Sequence, residues 1–130
     1  MNISVYQKIF ITIFVMGYLA TESLAATKDN FLARNTQDII GLCTASPTDP
    51  LYTEAIHFCH GYLVGVYQYQ HDFYSEPGFS PLVCPPTPKP SRNQTIAEYV
   101  EWMKTHPEYL QERTVDTVMK FLIEKFPCAD

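Results

Sequence analysis

Features that mark several common classes of protein are missing from this chain of 130 residues. No basic run could follow the phosphates of a nucleic acid, and the formal net charge is −5. No two cysteines have the C-x-x-C spacing of a structural zinc site, and no serine lies in a G-x-S-x-G motif. No segment alternates like a half-buried strand. We therefore expect no nucleic-acid binding, no metal or cofactor, no enzymatic activity and no β-sheet.

The apolar run near the start is too short to span a bilayer. It covers residues 9–20 after Lys8, and small side chains follow at Ser23 and Ala25, the −3 and −1 positions of a signal peptidase site. We predict that residues 1–25 are a cleaved export signal and that residues 26–130 form one domain with no remaining membrane anchor. An uncleaved anchor is the alternative, but no basic stop-transfer segment follows the run.

All four cysteines, Cys43, Cys59, Cys84 and Cys128, lie in the predicted mature part. An even number of cysteines in a small exported domain predicts disulfides. Three pairings are possible. We favour 43–59 with 84–128, because the first joins segments close in sequence and the second ties the chain end to the middle of the domain.

Helical periodicity and capping residues predict a small all-α bundle of about four helices, stapled by two disulfides. The first helix covers residues 36–43 and the second about 51–74. Six prolines make residues 75–90 an irregular loop. A third helix covers about 92–105, and a fourth ends at Pro127.

Capping residues and core stripes refine these helices. Asn35 or Thr36 caps the first, and Ser91 with Gln94 forms a capping box for the third. Thr105 and Glu108 offer a second capping box. The predicted core stripe of the fourth helix comprises Val115, Val118, Met119, Leu122 and Phe126.

The second helix is apolar on two faces. One stripe comprises Ala55, Phe58, Cys59, Tyr62, Val66, Tyr69 and Phe73, and the other Ile56, His60, Leu63, Tyr67, His71 and Tyr74. Such a helix is either the centre of the bundle or carries a partner surface. Gly61 and Gly65 lower its helix propensity, so we predict that another backbone approaches closely there.

Five pieces of the sequence occur in an order that resembles a known family. They are a short helix ending at Cys43, C-H-G-Y-L-V-G-V at 59–66, C-P at 84–85, H-P-E at 106–108 and F-P-C at 126–128. This combination resembles the Rap/Tai family of periplasmic immunity proteins associated with bacterial type VI secretion. The resemblance implies a small all-α fold, a periplasmic location, and direct binding of a secreted, peptidoglycan-cleaving effector.

Two groups of residues are candidates for binding such a partner. Tyr67, His71 and Tyr74 form an aromatic stripe on the second helix, although burial under the third or fourth helix is the alternative. Phe79, in the proline-stiffened loop, could enter an enzyme cleft at little entropic cost. His57 and His60 lack a third metal ligand nearby.

The leading hypothesis is occlusion of the active site of an amidase-type, cell-wall-degrading effector. A small periplasmic acid-stress chaperone and a structural module of the cell envelope are the alternatives. The sequence leaves a homodimer open.

Overall fold

The computed structural model describes residues 25–129, so all but the last residue of the predicted signal, 1–25, lies outside this part. Its helices are α1 (Thr36–Cys43), α2 (Tyr52–Tyr74), α3 (Arg92–Lys104) and α4 (Thr114–Lys125), with 3₁₀ turns at Lys28–Leu32 and Pro107–Tyr109. No strand occurs among the described residues. The predicted all-α bundle is confirmed. None of these helices combines the length and the apolar character needed to cross a membrane.

The core lies where α1 and the first half of α2 meet α3 and α4. Its buried helix residues are Ile39, Leu42, Ala55, Cys59, Leu63, Tyr99, Met103, Val118, Phe121 and Leu122. The predicted cap of α1 is present, since the Asn35 side chain accepts a hydrogen bond from the Asp38 amide. Ile39 and Leu42 have no exposed surface, so even the short α1 contributes fully to the core.

Both predicted disulfides are present. Cys43–Cys59 joins the end of α1 to α2, and Cys84–Cys128 ties the loop after α2 to the end of the chain. Beside the second disulfide, the Cys84 amide donates a hydrogen bond of 2.8 Å to the Phe126 carbonyl. The proline-rich loop is therefore held against the end of α4 by both a covalent and a backbone link.

A buried network of hydroxyl groups connects α1, α3 and α4. Thr117 Oγ1 lies 2.9 Å from Thr36 Oγ1 and 2.8 Å from the Tyr99 hydroxyl oxygen. All three side chains are buried. Because an unpaired buried hydroxyl costs roughly 1–3 kcal/mol, these bonds favour one mutual arrangement of the three helices.

Alkaline pH should destabilise the fold through this network. Burial raises the pKa of Tyr99 to about 12, whereas the usual pKa is 10.0. The contribution of Tyr99 to the free energy of unfolding is complete below about pH 10. It falls by roughly 2–3 kcal/mol as the pH rises towards about 12, because the unfolded chain releases the phenolic proton at a lower pH than the folded chain. Between about pH 9 and about pH 11, urea unfolding should show a smaller decrease in the free energy of unfolding for Tyr99→Phe than for the wild type. Equal losses would contradict this role of Tyr99.

The helix α2 extends beyond the helices that cover it. It has 23 residues, whereas α3 has 13 and α4 has 12. At 1.5 Å per residue, α2 is about 34 Å long and its neighbours about 20 Å. Its first half is buried at Ala55, Cys59 and Leu63, but Gln70 is the one buried residue of its last ten. One end of α2 therefore lacks cover.

The predicted close approach of a backbone to Gly61 and Gly65 is wrong. A Cβ atom added at either glycine would meet no atom outside the neighbouring backbone within 4 Å. Both glycines are exposed. They leave an open strip along α2 instead of a tight helix contact.

The H-P-E motif ends α3 and does not cap the following segment. The predicted capping box of Thr105 and Glu108 is not formed, because Thr105 Oγ1 donates back to the Trp102 carbonyl at 2.8 Å. His106 Nδ1 lies 2.8 Å from the same carbonyl oxygen, to which it can only donate. The His106 ring also stacks on Trp102, with 4.1 Å between ring centroids. The motif thus satisfies a carbonyl that the end of the helix leaves free.

The buried face of α4 differs in part from the predicted stripe. Val118, Leu122 and Phe126 are buried as predicted, but Met119 is half-buried and Val115 is 46% exposed. Thr114, Thr117 and Phe121 are buried in addition. The physical reason is the hydroxyl network, which turns the face of α4 that carries Thr117 inward and leaves Val115 outside.

Candidate partner-binding surface

Large apolar side chains remain exposed near the uncovered end of α2. We call this surface the aromatic face; it comprises Tyr69, Phe73, Phe79, Leu82, Val115 and Ile123. Tyr69 is 75% exposed and Phe79 is 50% exposed. All of the face except Phe79 borders one shallow groove of about 600 Å³, and Phe79 contacts Phe73 with 4.7 Å between ring centroids. A contiguous apolar patch of this kind marks an interaction surface on a soluble domain.

Aromatic contacts hold the loop that carries Phe79. The Phe79 ring packs edge-on to Tyr74 at a centroid distance of 6.0 Å, and Phe73 packs edge-on to Tyr74 at 5.2 Å. Gly78 has φ +97°, a conformation that favours glycine and that lets the chain turn just before Phe79. The tip of the loop is therefore preorganised, so a partner that binds it has less side-chain entropy to remove.

Gly65 contributes to the shape of the groove. It lies in the groove wall beside Tyr62, Val66 and Tyr69, with open space where a Cβ atom would be. Glycine in a helix costs about 1 kcal/mol relative to alanine. A side chain at Gly65 would extend towards the groove, since a Cβ atom there meets nothing within 4 Å.

The four residues predicted to bind a partner do not form one surface. Tyr74 and Phe79 lie together at the aromatic face, with Tyr74 lining the groove. Tyr67 and His71 form a separate pair, 5.9 Å apart between ring centroids, and Tyr67 lines a second cavity. At 100° per residue, the stretch of α2 that borders this second cavity faces roughly away from the aromatic face.

Comparison with protein families identifies the chain. A family model described as Rap1a immunity proteins matches residues 35–128, a span that contains all four helices and both disulfides. The chain belongs to the Rap1a immunity protein family. The resemblance to the Rap/Tai family is thereby confirmed, and membership implies immunity to a type VI effector and binding of a secreted effector. Searches of curated proteins and of solved structures found no match.

Sequence reasoning missed most of the aromatic face of this Rap1a immunity protein. It assigned Tyr69 and Phe73 to an apolar stripe of the second helix and Val115 to the core stripe of the fourth. It included Leu82 only as the end of the candidate loop 76–82, and it found no signal at Ile123. The length of α2 was a usable signal, because shorter neighbours cannot cover two stripes along its whole length.

Two acidic groups lie beside the α2 part of the aromatic face. Asp72 and Glu76 are exposed and lie within three residues of Phe73. His71 Nδ1 lies 3.3 Å from Asp72 Oδ1, where a protonated ring would form an ion pair. In the described part of this immunity protein, no group of three His, Cys, Asp or Glu residues could hold a metal ion. The surface therefore offers apolar contact beside negative charge.

Proposed function

We propose that this Rap1a immunity protein binds an amidase-type, peptidoglycan-cleaving effector through the aromatic face and occludes the effector's active site. The observation that carries the proposal is the contiguous exposed surface around Tyr69, Phe73 and Phe79. Aromatic side chains bury a large area at low entropic cost, as interface hot spots do. The preorganised Phe79 loop has the form of an inhibitor loop that enters a cleft.

Charge supports a partner with a basic surface around its cleft. The chain carries a formal net charge of −5, and Asp72 and Glu76 lie beside the aromatic rings. Opposite charge on the effector would raise the association rate, and added salt would lower that rate. Apolar contact would then determine the dissociation rate.

The contacts of Ala26 support export with cleavage of residues 1–25. Ala26 is buried, and its backbone nitrogen lies 2.7 Å from Asp49 Oδ2. Cleavage after Ala25 would convert this amide into an α-ammonium group, which is charged at neutral pH because its pKa is about 8. The new charge would form an ion pair with Asp49. A mature N-terminus at Ala26 in the periplasm therefore suits the fold.

We expect the protein purified from the periplasm to begin at Ala26, as measured by intact mass. A version that keeps Ala25 should unfold with a free energy lower by about 1 kcal/mol, because a neutral amide replaces the ammonium beside Asp49. Asp49→Asn is the control: it removes the charge but keeps Oδ1, which accepts from the Leu51 amide at 2.8 Å. In that background the two N-termini should be equally stable. A different N-terminus, or no stability difference in the wild type, would contradict the proposal.

Filling the groove tests the proposed interface. Gly65→Gln should weaken binding of a catalytically inactive amidase effector at least about tenfold, because the new side chain occupies the groove. Gly61→Gln is a matched control, since it also replaces an open glycine of α2 but lies outside the groove. Both changes should raise helix stability by roughly 1 kcal/mol, so a loss of binding cannot come from unfolding.

Isothermal titration calorimetry would measure these affinities, and survival of cells that direct the effector to the periplasm would measure protection. Equal affinity of the two glycine variants would place the interface elsewhere. Binding to a type VI effector of another class would keep the immunity role and refute the amidase target.

A further inference from the structure

We propose that the second cavity binds an amphiphile with a single acyl chain and an anionic head group, such as a fatty acid. The cavity has a volume of about 310 Å³, at the lower end of the range of small-molecule sites. Side chains from α2, α3, α4 and the loop before α3 surround it. A site bordered by four segments suits a slender ligand, and it has about half the volume of the groove at the aromatic face. The proposal does not depend on the effector interface.

The inner wall of this cavity is apolar. Val118, Phe121, Leu122 and Phe126 line it together with the ring of Tyr99. The Tyr99 hydroxyl is already bonded to Thr117 at 2.8 Å, so the ring and not the hydroxyl is available to a ligand. An acyl chain would bury its methylene groups here, and each buried methylene is worth roughly a fourfold gain in affinity.

The cavity also has positive charge at its exposed edge. Lys89 and Arg92 line it, both are exposed, and neither forms an ion pair with a carboxylate among the residues that the structure describes. Arg92 is the first residue of α3, so the positive end of that helix dipole lies at the same edge. Two free cations beside an apolar cavity, in a chain of net charge −5, are complementary to an anionic head group.

Titration with octanoate, decanoate and dodecanoate below their micelle concentrations tests the binding of the acyl chain, and comparison with an alcohol tests the binding of the anionic head group. Calorimetry should show affinity rising about fifteenfold for each added pair of methylenes. Decanol should bind about tenfold more weakly than decanoate, because it lacks the charge. In the Lys89→Gln/Arg92→Gln protein this difference should disappear, whereas Lys28→Gln, an exposed lysine outside the cavity, should preserve it.

Filling the cavity tests its location. Ile96 is half-buried in the cavity wall, so Ile96→Trp should weaken decanoate binding at least about tenfold. His57→Trp is the control, because His57 is exposed and borders neither cavity. If Ile96→Trp fails to fold, Val64→Trp replaces it, since Val64 is also half-buried in the wall.

Phosphatidylglycerol vesicles distinguish a membrane source of the ligand from a free fatty acid. Vesicle binding that Ile96→Trp abolishes would support the site and show that one acyl chain of an anionic membrane lipid can enter it. Vesicle binding that persists in Ile96→Trp would be surface electrostatics and would overturn the proposal. Three results of the titrations would also overturn it: an affinity that does not depend on chain length, an equal affinity for decanol and decanoate, and no binding at millimolar ligand. Capture of an acidic peptide in place of any acyl chain would also overturn it.

Discussion

Removing the Cys84–Cys128 disulfide by a Cys84→Ala/Cys128→Ala double substitution should lower the free energy of unfolding by about 4 kcal/mol. The crosslink spans 44 residues, and closing a loop of this length reduces the conformational entropy of the unfolded chain by the equivalent of about 4 kcal/mol. A small domain has roughly 5–15 kcal/mol of stability in all, so the variant should be close to unfolding at physiological temperature. Urea unfolding followed by the fluorescence of Trp102, the single tryptophan, would measure the loss.

The other disulfide is the natural comparison. Cys43–Cys59 spans 16 residues, so its removal by the same substitutions should cost about 3 kcal/mol from loop entropy. Ser80→Ala, in the same exposed loop as Cys84, controls for substitution in that loop and should leave stability within about 0.5 kcal/mol of the wild type. A loss below about 1 kcal/mol for the Cys84–Cys128 pair would show that packing, not the crosslink, holds the loop.

Phe79→Ala should weaken binding of the cognate effector by about 2 kcal/mol, which is roughly thirtyfold in Kd. Phe79 is the exposed tip of a loop that Phe73 and Tyr74 already hold in place, so its ring can enter a cleft at low entropic cost. Calorimetry with an inactive effector would measure the affinity. The melting temperature should change little, because half of the Phe79 surface is exposed and the side chain lies outside the core.

Tyr67→Ala is the matched control for this substitution. Tyr67 is also an aromatic residue predicted from the sequence to bind the partner, but it lines the second cavity and not the groove. Its loss should leave effector affinity within about twofold of the wild type. Weak binding by Tyr67→Ala with full binding by Phe79→Ala would move the interface to the opposite side of α2.

Much of the fold could be predicted because its causes act over a few residues. The observed bounds of α1 and α2 are close to the predicted ones, because the Asn35 cap begins α1 and the prolines after Tyr74 prevent α2 from continuing. The H-P-E motif marks the end of α3 in sequence, but its role depends on which groups His106 and Thr105 reach, and the predicted capping box therefore failed.

The sequence by itself determined the helix class, the approximate ends of the helices and the number of cysteines available for disulfides. Only the tertiary structure decided which apolar residues are covered. Val115 is exposed because the hydroxyl network turns Thr117 inward, and Tyr67 is separated from Phe79 because α2 has different neighbours on its two sides. Periodicity places a residue on a face of its own helix, but burial depends on the length and position of other helices, which no local pattern encodes.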